Sequence, residues 1–111
     1  MTNKYKKYTD EAKIYDVAKR TPLDYQALLS TRLNNQIYLK REDLQSVFSF
    51  KIRGAYNKLT HLDKKIRDKG IIAASAGNHA QGVAMAAKTL GCKATIAVSY
   101  THLTLPTILR V

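Results

Sequence analysis

The residue types with chemical capacity concentrate in two short segments. The first, Ser49-Phe50-Lys51-Ile52-Arg53-Gly54-Ala55, sets a lysine beside an aromatic in the first turn of a predicted helix. The helix dipole disfavours an ammonium at that end, and in a dry site a neutral amine can form a Schiff base or act as a base. In an open site the same lysine is only a solvated charge, and residue type alone leaves both readings open. The second segment, Ser75-Ala76-Gly77-Asn78-His79, lies where an apolar run gives way to a helical pattern. Unpaired N–H groups and the positive helix end converge on such a loop, which suits a carboxylate or a phosphate. Ser75 offers a hydroxyl, Asn78 an amide with donor and acceptor ends, and Gly77 lets a ligand approach the backbone. The competing use is structural, with Ser75 or Asn78 capping the helix. His79 shares no ligand spacing with His61 or His102, and Cys92 is the single cysteine, so no metal is assigned. For Arg53, a place facing the site and a helix-surface salt bridge are both open.

The elements that must position these residues follow from periodicity and punctuation. Thr9-Asp10-Glu11 predicts a helix start, with acids suited to the positive end, and the helix runs to about Lys19. Thr21-Pro22 stops it, because the residue before proline avoids the helical region. A second helix is predicted over Tyr25 to Leu33, a turn at Asn34-Asn35, and a short strand at Ile37-Tyr38-Leu39. On the helix opened near Lys51, the residues Ile52, Ala55, Tyr56, Leu59 and Leu62 share one face. Ile71-Ile72-Ala73-Ala74 has the length of a buried strand, and a helix from Asn78 carries Ala80, Val83, Ala84, Ala87 and Leu90 as its stripe, with Gly91 as its stop. Lys93 to Val98 is the next strand. Strand, helix, strand predicts an α/β fold built on parallel-sheet βαβ units with a right-handed crossover.

Length and composition narrow the function classes. A chain of 111 residues is one ordinary domain, and its apolar stretches fall well short of the roughly 20 residues that span a bilayer. The basic N-terminus is followed by Tyr8-Thr9-Asp10-Glu11 where a secretory signal needs an apolar core, and a lone cysteine suits a reducing compartment, so the expectation is a cytoplasmic protein. Lys and Arg number 19 against 8 Asp and Glu, a formal +11 that a nucleic-acid binder would show. The bases are interrupted by acids, as in Lys40-Arg41-Glu42-Asp43, which points to solvated helix faces rather than to nucleic acid; a basic, non-catalytic binding module is the alternative from another class.

Three motifs together carry a resemblance. Tyr38-Leu39-Lys40-Arg41-Glu42-Asp43-Leu44-Gln45, then Ser49 to Tyr56, then Ala74-Ser75-Ala76-Gly77-Asn78-His79-Ala80-Gln81-Gly82-Val83-Ala84 closely resemble the threonine ammonia-lyase (biosynthetic threonine dehydratase) family of fold-type II pyridoxal-phosphate enzymes, which are tryptophan synthase β-like in fold. The resemblance runs from about Tyr15 through Val98, with Thr21-Pro22-Leu23 matching upstream. It implies that Lys51 holds pyridoxal 5'-phosphate covalently and then removes the substrate α-proton, that Phe50 packs near the cofactor, and that Asn78 bonds its 3-hydroxyl. It further implies that Ser75, Gly77, Asn78 and His79 receive the carboxylate of a small amino-acid substrate. The implied reaction is deamination of L-threonine to 2-oxobutanoate and ammonia, a lyase step of isoleucine biosynthesis. Ala76 stands where similar serine racemases carry a hydroxyl-bearing second base, which favours elimination over racemisation. A relative preferring serine or hydroxyaspartate stays open, and the resemblance implies a homo-oligomer at the family's full length.

Family members of this kind are much longer. No glycine-rich phosphate loop and no residue for the pyridine nitrogen follow here, so residues 1–98 are expected to be the N-terminal portion of a catalytic region, inactive alone. Residues 99–111, Ser99 to Val111, do not resemble the family and are expected to be a foreign tail.

Overall fold

Apolar side chains at helical spacing draw two helices together beside a strand pair, and the remaining elements are arranged around that contact. A computed structural model describes residues 4–99. In chain order the elements are α1 (Lys4–Asp10), a 3-10 turn (Ile14–Asp16), β1 (Leu23–Tyr25), α2 (Ala27–Leu33), β2 (Tyr38–Lys40), a 3-10 turn (Glu42–Leu44), α3 (Lys51–Thr60), α4 (Lys64–Arg67), β3 (Ile71–Ala74), α5 (Asn78–Thr89) and β4 (Ala94–Ala97). The foreign-tail expectation falls on residues that, from 100 onward, lie outside the described ones.

The βαβ unit forms as the pattern requires. β3 and β4 pair in parallel, from Ile71 opposite Ala94 to Ala74 opposite Ala97. Strand alternation turns Ile71, Ala73, Ala94 and Ile96 towards the core. The other face is open, with Ile72 81% exposed, although parallel sheets ordinarily have both faces covered. A second, separate sheet pairs β1 with β2 antiparallel, and Tyr25 and Tyr38 face each other across it with ring centroids 5.2 Å apart.

α3 buries Ile52, Ala55, Tyr56 and Leu59, as its spacing predicts, while Leu62 falls beyond the helix end and is half-buried. On α5 the buried set is Gly82, Val83, Ala86 and Ala87, so the stripe is rotated from the predicted one and Ala80, Ala84 and Leu90 are only half-buried. Gly82 is the reason. A Cβ built there would lie 2.9 Å from the Lys51 carbonyl carbon, 3.0 Å from its oxygen and 3.2 Å from the Ile52 nitrogen. The helices meet backbone to side at this point, and the small-residue face must turn inward to let them. Gly91, at φ +64, ends α5 in the left-handed conformation expected of a C-terminal stop.

The N-terminal third departs furthest from its periodicity. A helix from Thr9 to Lys19 does not form. Thr9 lies inside α1, where its hydroxyl donates to the Tyr5 carbonyl at 2.9 Å instead of capping, and Lys6 pairs with Asp10 at 3.0 Å to close that short helix. Further on, the Lys19 backbone is taken by a tertiary partner. Its N–H donates to Gln45 Oε1 at 2.8 Å, and its carbonyl accepts from Gln45 Nε2 at 2.9 Å and from an Arg53 guanidinium nitrogen at 3.2 Å. The second predicted helix forms as α2 but starts at Ala27, because Tyr25 closes β1, whose ladder partners lie on β2, and β2 itself is shifted one residue from the predicted run.

Glu42 joins the same polar cluster. It accepts from Arg53 Nε and from a terminal guanidinium nitrogen, both at 2.8 Å, and from the Thr21 hydroxyl at 2.6 Å. The Arg53 hydrogen bonds hold the Glu42 carboxyl down at about 2 against an opposing cost of burial, and they raise Arg53 in turn.

Two outcomes follow from this packing. Helix propensity alone makes Gly82→Ala stabilising by about 1 kcal/mol, whereas a Cβ in contact with backbone that cannot swing aside makes it destabilising by about 1–3 kcal/mol; urea midpoints of the two proteins will show the second. A carboxylate whose folded value lies below its unfolded one adds stability that is present above the unfolded value and lost as pH falls. Stability should therefore decline from about pH 5 towards pH 2, and Glu42→Gln should flatten that decline in acid unfolding monitored by circular dichroism.

Candidate functional site

Lys51 is the first residue of α3, preceded by Phe50 at the cap, and its Nζ lies 4.9 Å from the Phe50 ring centroid. Both side chains are exposed, and Lys51 has no ion-pair partner among the described residues. The approach to α3 is a tight reversal in which the Phe48 N–H donates to the Gln45 carbonyl at 2.9 Å and Phe48 adopts φ 55, unusual for a bulky side chain. Between them and the helix, Ser49 is buried with its hydroxyl unpartnered among the described residues.

The second segment sits where β3 ends. The Ser75 N–H extends the ladder to the Ala97 carbonyl at 3.0 Å, which ties the loop to the end of β4. Ser75 Oγ accepts the Gly77 N–H at 3.2 Å, ahead of the helix, and no side chain caps α5. The capping role left open by residue type is therefore not the one adopted. Beyond the weak 3.4 Å bond from the Gln81 N–H to the Gly77 carbonyl, the start of α5 offers its donors and its dipole outward.

Gly82 brings the two segments together. Asn78 lies one turn before Gly82 on the same face of α5, about 6 Å along the helix axis. Gly82 rests on the Lys51 backbone. Lys51 and Phe50 open α3, and Ser75, Gly77 and Asn78 lead into α5 one turn ahead of that contact. His79 and Ala76 are exposed at the same helix start. His61 is at the other end of α3, with Nδ1 2.7 Å from the Asn57 carbonyl, and no group of three or more His, Cys, Asp or Glu side chains suited to a metal occurs among the described residues. Arg53 takes the salt bridge with Glu42, with a side chain 21% exposed rather than lying on an open helix surface.

Three contributors had no role assigned from the sequence. Gly82 carries a legible signal, since a glycine within a helical pattern costs about 1 kcal/mol against alanine and implies a close approach. Glu42 and Gln45 have no such signal, because their partners Thr21, Lys19 and Arg53 lie far along the chain.

These residues fit part of a pyridoxal phosphate group. An exposed amine suits its aldehyde, the Phe50 ring suits its heteroaromatic face, and the unpartnered Ser49 hydroxyl and uncapped α5 leave polar capacity beside Lys51. No glycine-rich phosphate cradle occurs among the described residues, where the glycines are dispersed. Among the basic residues, Lys6, Lys7, Arg41, Arg53 and Lys64 are paired with acids. No helix of the described residues is long and apolar enough to cross a membrane.

Comparison with known proteins agrees with this arrangement. The chain is 58% identical over 90 residues to threonine dehydratase 1 biosynthetic, chloroplastic, of Solanum lycopersicum, covering 81% of this chain and 15% of that protein. It is 57% identical over 90 residues to the biosynthetic L-threonine dehydratase of Burkholderia multivorans, covering 81% and 18%. The structure of the processed form of threonine deaminase isoform 2 from Solanum lycopersicum superposes with a TM-score of 0.84 at 46% identity, over 93% of this chain and 29% of that one. The chain thus spans less than a fifth of the length of these curated relatives, and the α/β arrangement expected from the motifs is the one it adopts. The pattern of the family described as "Pyridoxal-phosphate dependent enzyme" matches residues 14–104, and with the lysine and the open helix start set side by side, the chain belongs to that family.

Proposed function

We propose that residues 15–98 carry the lysine-bearing and carboxylate-binding part of a pyridoxal-phosphate-dependent L-threonine dehydratase, which converts L-threonine to 2-oxobutanoate and ammonia. The observation that supports this reading is the backbone contact at Gly82, where α5, one turn after its uncapped start, meets the Lys51 backbone. The names of the tomato and Burkholderia relatives supply the substrate. The tomato relative is named as chloroplastic, so relatives of this chain are not confined to the cytoplasm.

Each residue has a task that its position permits. When bound, pyridoxal phosphate supplies an electron sink for the pair left behind as the substrate Cα–H bond breaks. Lys51 would hold that group through its ε-amine and, as the free amine, would take the substrate α-proton. The Ser75 hydroxyl, the N–H donors of Asn78 and His79 and the dipole of α5 hold the substrate carboxylate against the open backbone of Gly77, which fixes the direction of the Cα–H bond. Phe50 offers its ring as a packing face beside Lys51, and the Asn78 amide is the hydrogen-bonding partner for the cofactor hydroxyl. Ala76 offers no hydroxyl for reprotonation from the opposite side, so elimination of the β-hydroxyl is favoured over racemisation. The remaining contacts, above all those to the phosphate, belong to parts of the relatives' length that this chain does not match.

The test uses the chain itself and does not require turnover. With pyridoxal 5'-phosphate the amine condenses with loss of water, and borohydride fixes the adduct as a secondary amine that peptide mass mapping locates. Lys51 should be labelled severalfold above the other lysines, and a short carboxylate without a carbonyl, such as butyrate, should alter the labelling at Lys51 alone. In Lys51→Ala the preferred label should vanish rather than move to a neighbouring lysine. An even spread over all lysines in the parent chain would sink the assignment.

A further inference from the structure

We propose that Glu42, Gln45 and Arg53 are positioning residues for Lys51, forming a polar clamp, closed around the Lys19 backbone, that sets the place and rotation of the first turn of α3. The inference rests on the reading of Lys51 as the cofactor-anchoring amine.

The clamp holds both ends of the short stretch that carries Phe50 and Lys51. At one end, Gln45 is 1% exposed, and its amide pairs with both polar groups of the Lys19 backbone, at 2.8 and 2.9 Å, and with Glu42 Oε2 at 3.2 Å. At the other end, Arg53 reaches the same Glu42 carboxylate by two bonds of 2.8 Å and the same Lys19 carbonyl at 3.2 Å. Between these two fixed points the chain reverses at Phe48, through the bond from its N–H to the Gln45 carbonyl, and enters α3 at Lys51. The loop is therefore closed on a single carboxylate and a single carbonyl, and Lys51 lies inside the closure.

Rotation is fixed by the same contacts. Residues two apart on an α-helix point about 200° away from each other. Holding the Arg53 side chain on Glu42 therefore turns Lys51 to the opposite side of the helix. From the α5 side, Gly82 limits how far the Lys51 backbone can shift. An apolar cluster of similar volume would stabilise the chain as well as a partly buried ion pair does, because desolvation offsets much of the Coulomb gain. It would not constrain direction as a bidentate guanidinium–carboxylate fork does. The Arg20 and Arg53 guanidinium groups lie 3.7 and 5.5 Å from the Tyr15 ring centroid and close the outer side of the cluster.

The experiment is reductive labelling by pyridoxal 5'-phosphate of the whole chain and of Arg53→Lys, Glu42→Gln and Leu59→Ala, each held at a temperature where far-UV circular dichroism shows it folded. Arg53→Lys keeps the charge and loses the fork, whereas Leu59→Ala weakens the core without touching the clamp. Misplacing a reacting group by about 1 Å costs up to about 100-fold, so the preference for Lys51 over surface lysines should fall about 10- to 100-fold in Arg53→Lys and Glu42→Gln. It should persist in folded Leu59→Ala, which a merely stabilising role would not allow. If Arg53→Lys does not fold, Thr21→Val, which removes one bond to Glu42, takes its place and should lower the preference by a smaller factor. Parental selectivity in the clamp variants, or an equal loss in Leu59→Ala, overturns the proposal. Absence of any Lys51 preference in the parent chain is a separate result: it overturns the cofactor reading and takes the clamp's purpose with it.

Discussion

A missing Cβ governs the arrangement of this chain. At Gly82 the side of α5 rests on the carbonyl of Lys51, at distances that no side chain could share. Two helices that pack through side chains ordinarily stay 8–10 Å apart between axes, which leaves their ends free to diverge. Contact with backbone removes that freedom. It brings the start of α3 against α5 one turn after Asn78. The apolar core of Ile52, Ala55, Tyr56, Leu59, Val83, Ala86 and Ala87 supplies the cohesion that makes this approach favourable.

The N-terminal third is organised by polar rather than apolar contacts. Its few residues cannot build a second core, and its larger apolar side chains, including Leu23, Leu28 and Leu33, remain exposed. Glu42, Gln45, Arg53 and Thr21 instead satisfy one another and the Lys19 backbone, which would otherwise bury unpaired groups at a cost of several kcal/mol. The Lys40 ammonium adds a bond to the Thr21 carbonyl, and Arg41 bridges Asp24 and Asp43. Several of the basic residues thus serve the packing of this region.

Reading by period worked where an element's own residues supply its partners. The βαβ unit, its parallel pairing and the buried face of α3 were all legible, because alternation and helical spacing report directly on burial. It failed where partners come from elsewhere. The acids at Thr9-Asp10-Glu11 matched a helix start in pattern, yet the Lys19 backbone bonds to Gln45 and the Thr9 hydroxyl bonds back to Tyr5. Leu23 to Tyr25 became strand because β2 lay beside it. The α5 stripe was rotated by a contact with α3 that no local pattern contains.

By itself the sequence determined which residue types stand in each segment and which family the chain belongs to, since a lysine after Ser-Phe and a Ser-Ala-Gly-Asn-His loop are covalent facts about side chains and backbone freedom. It left open whether Ser75 and Asn78 cap a helix or face a ligand, and whether Arg53 lies at the site or in a salt bridge. Only the tertiary structure decided these, because each depends on what another part of the chain places nearby. α5 proved uncapped since Ser75 is engaged by Gly77, and Arg53 was claimed by Glu42. Residue type sets what a group can do, and distance to a partner set far away in sequence sets what it does.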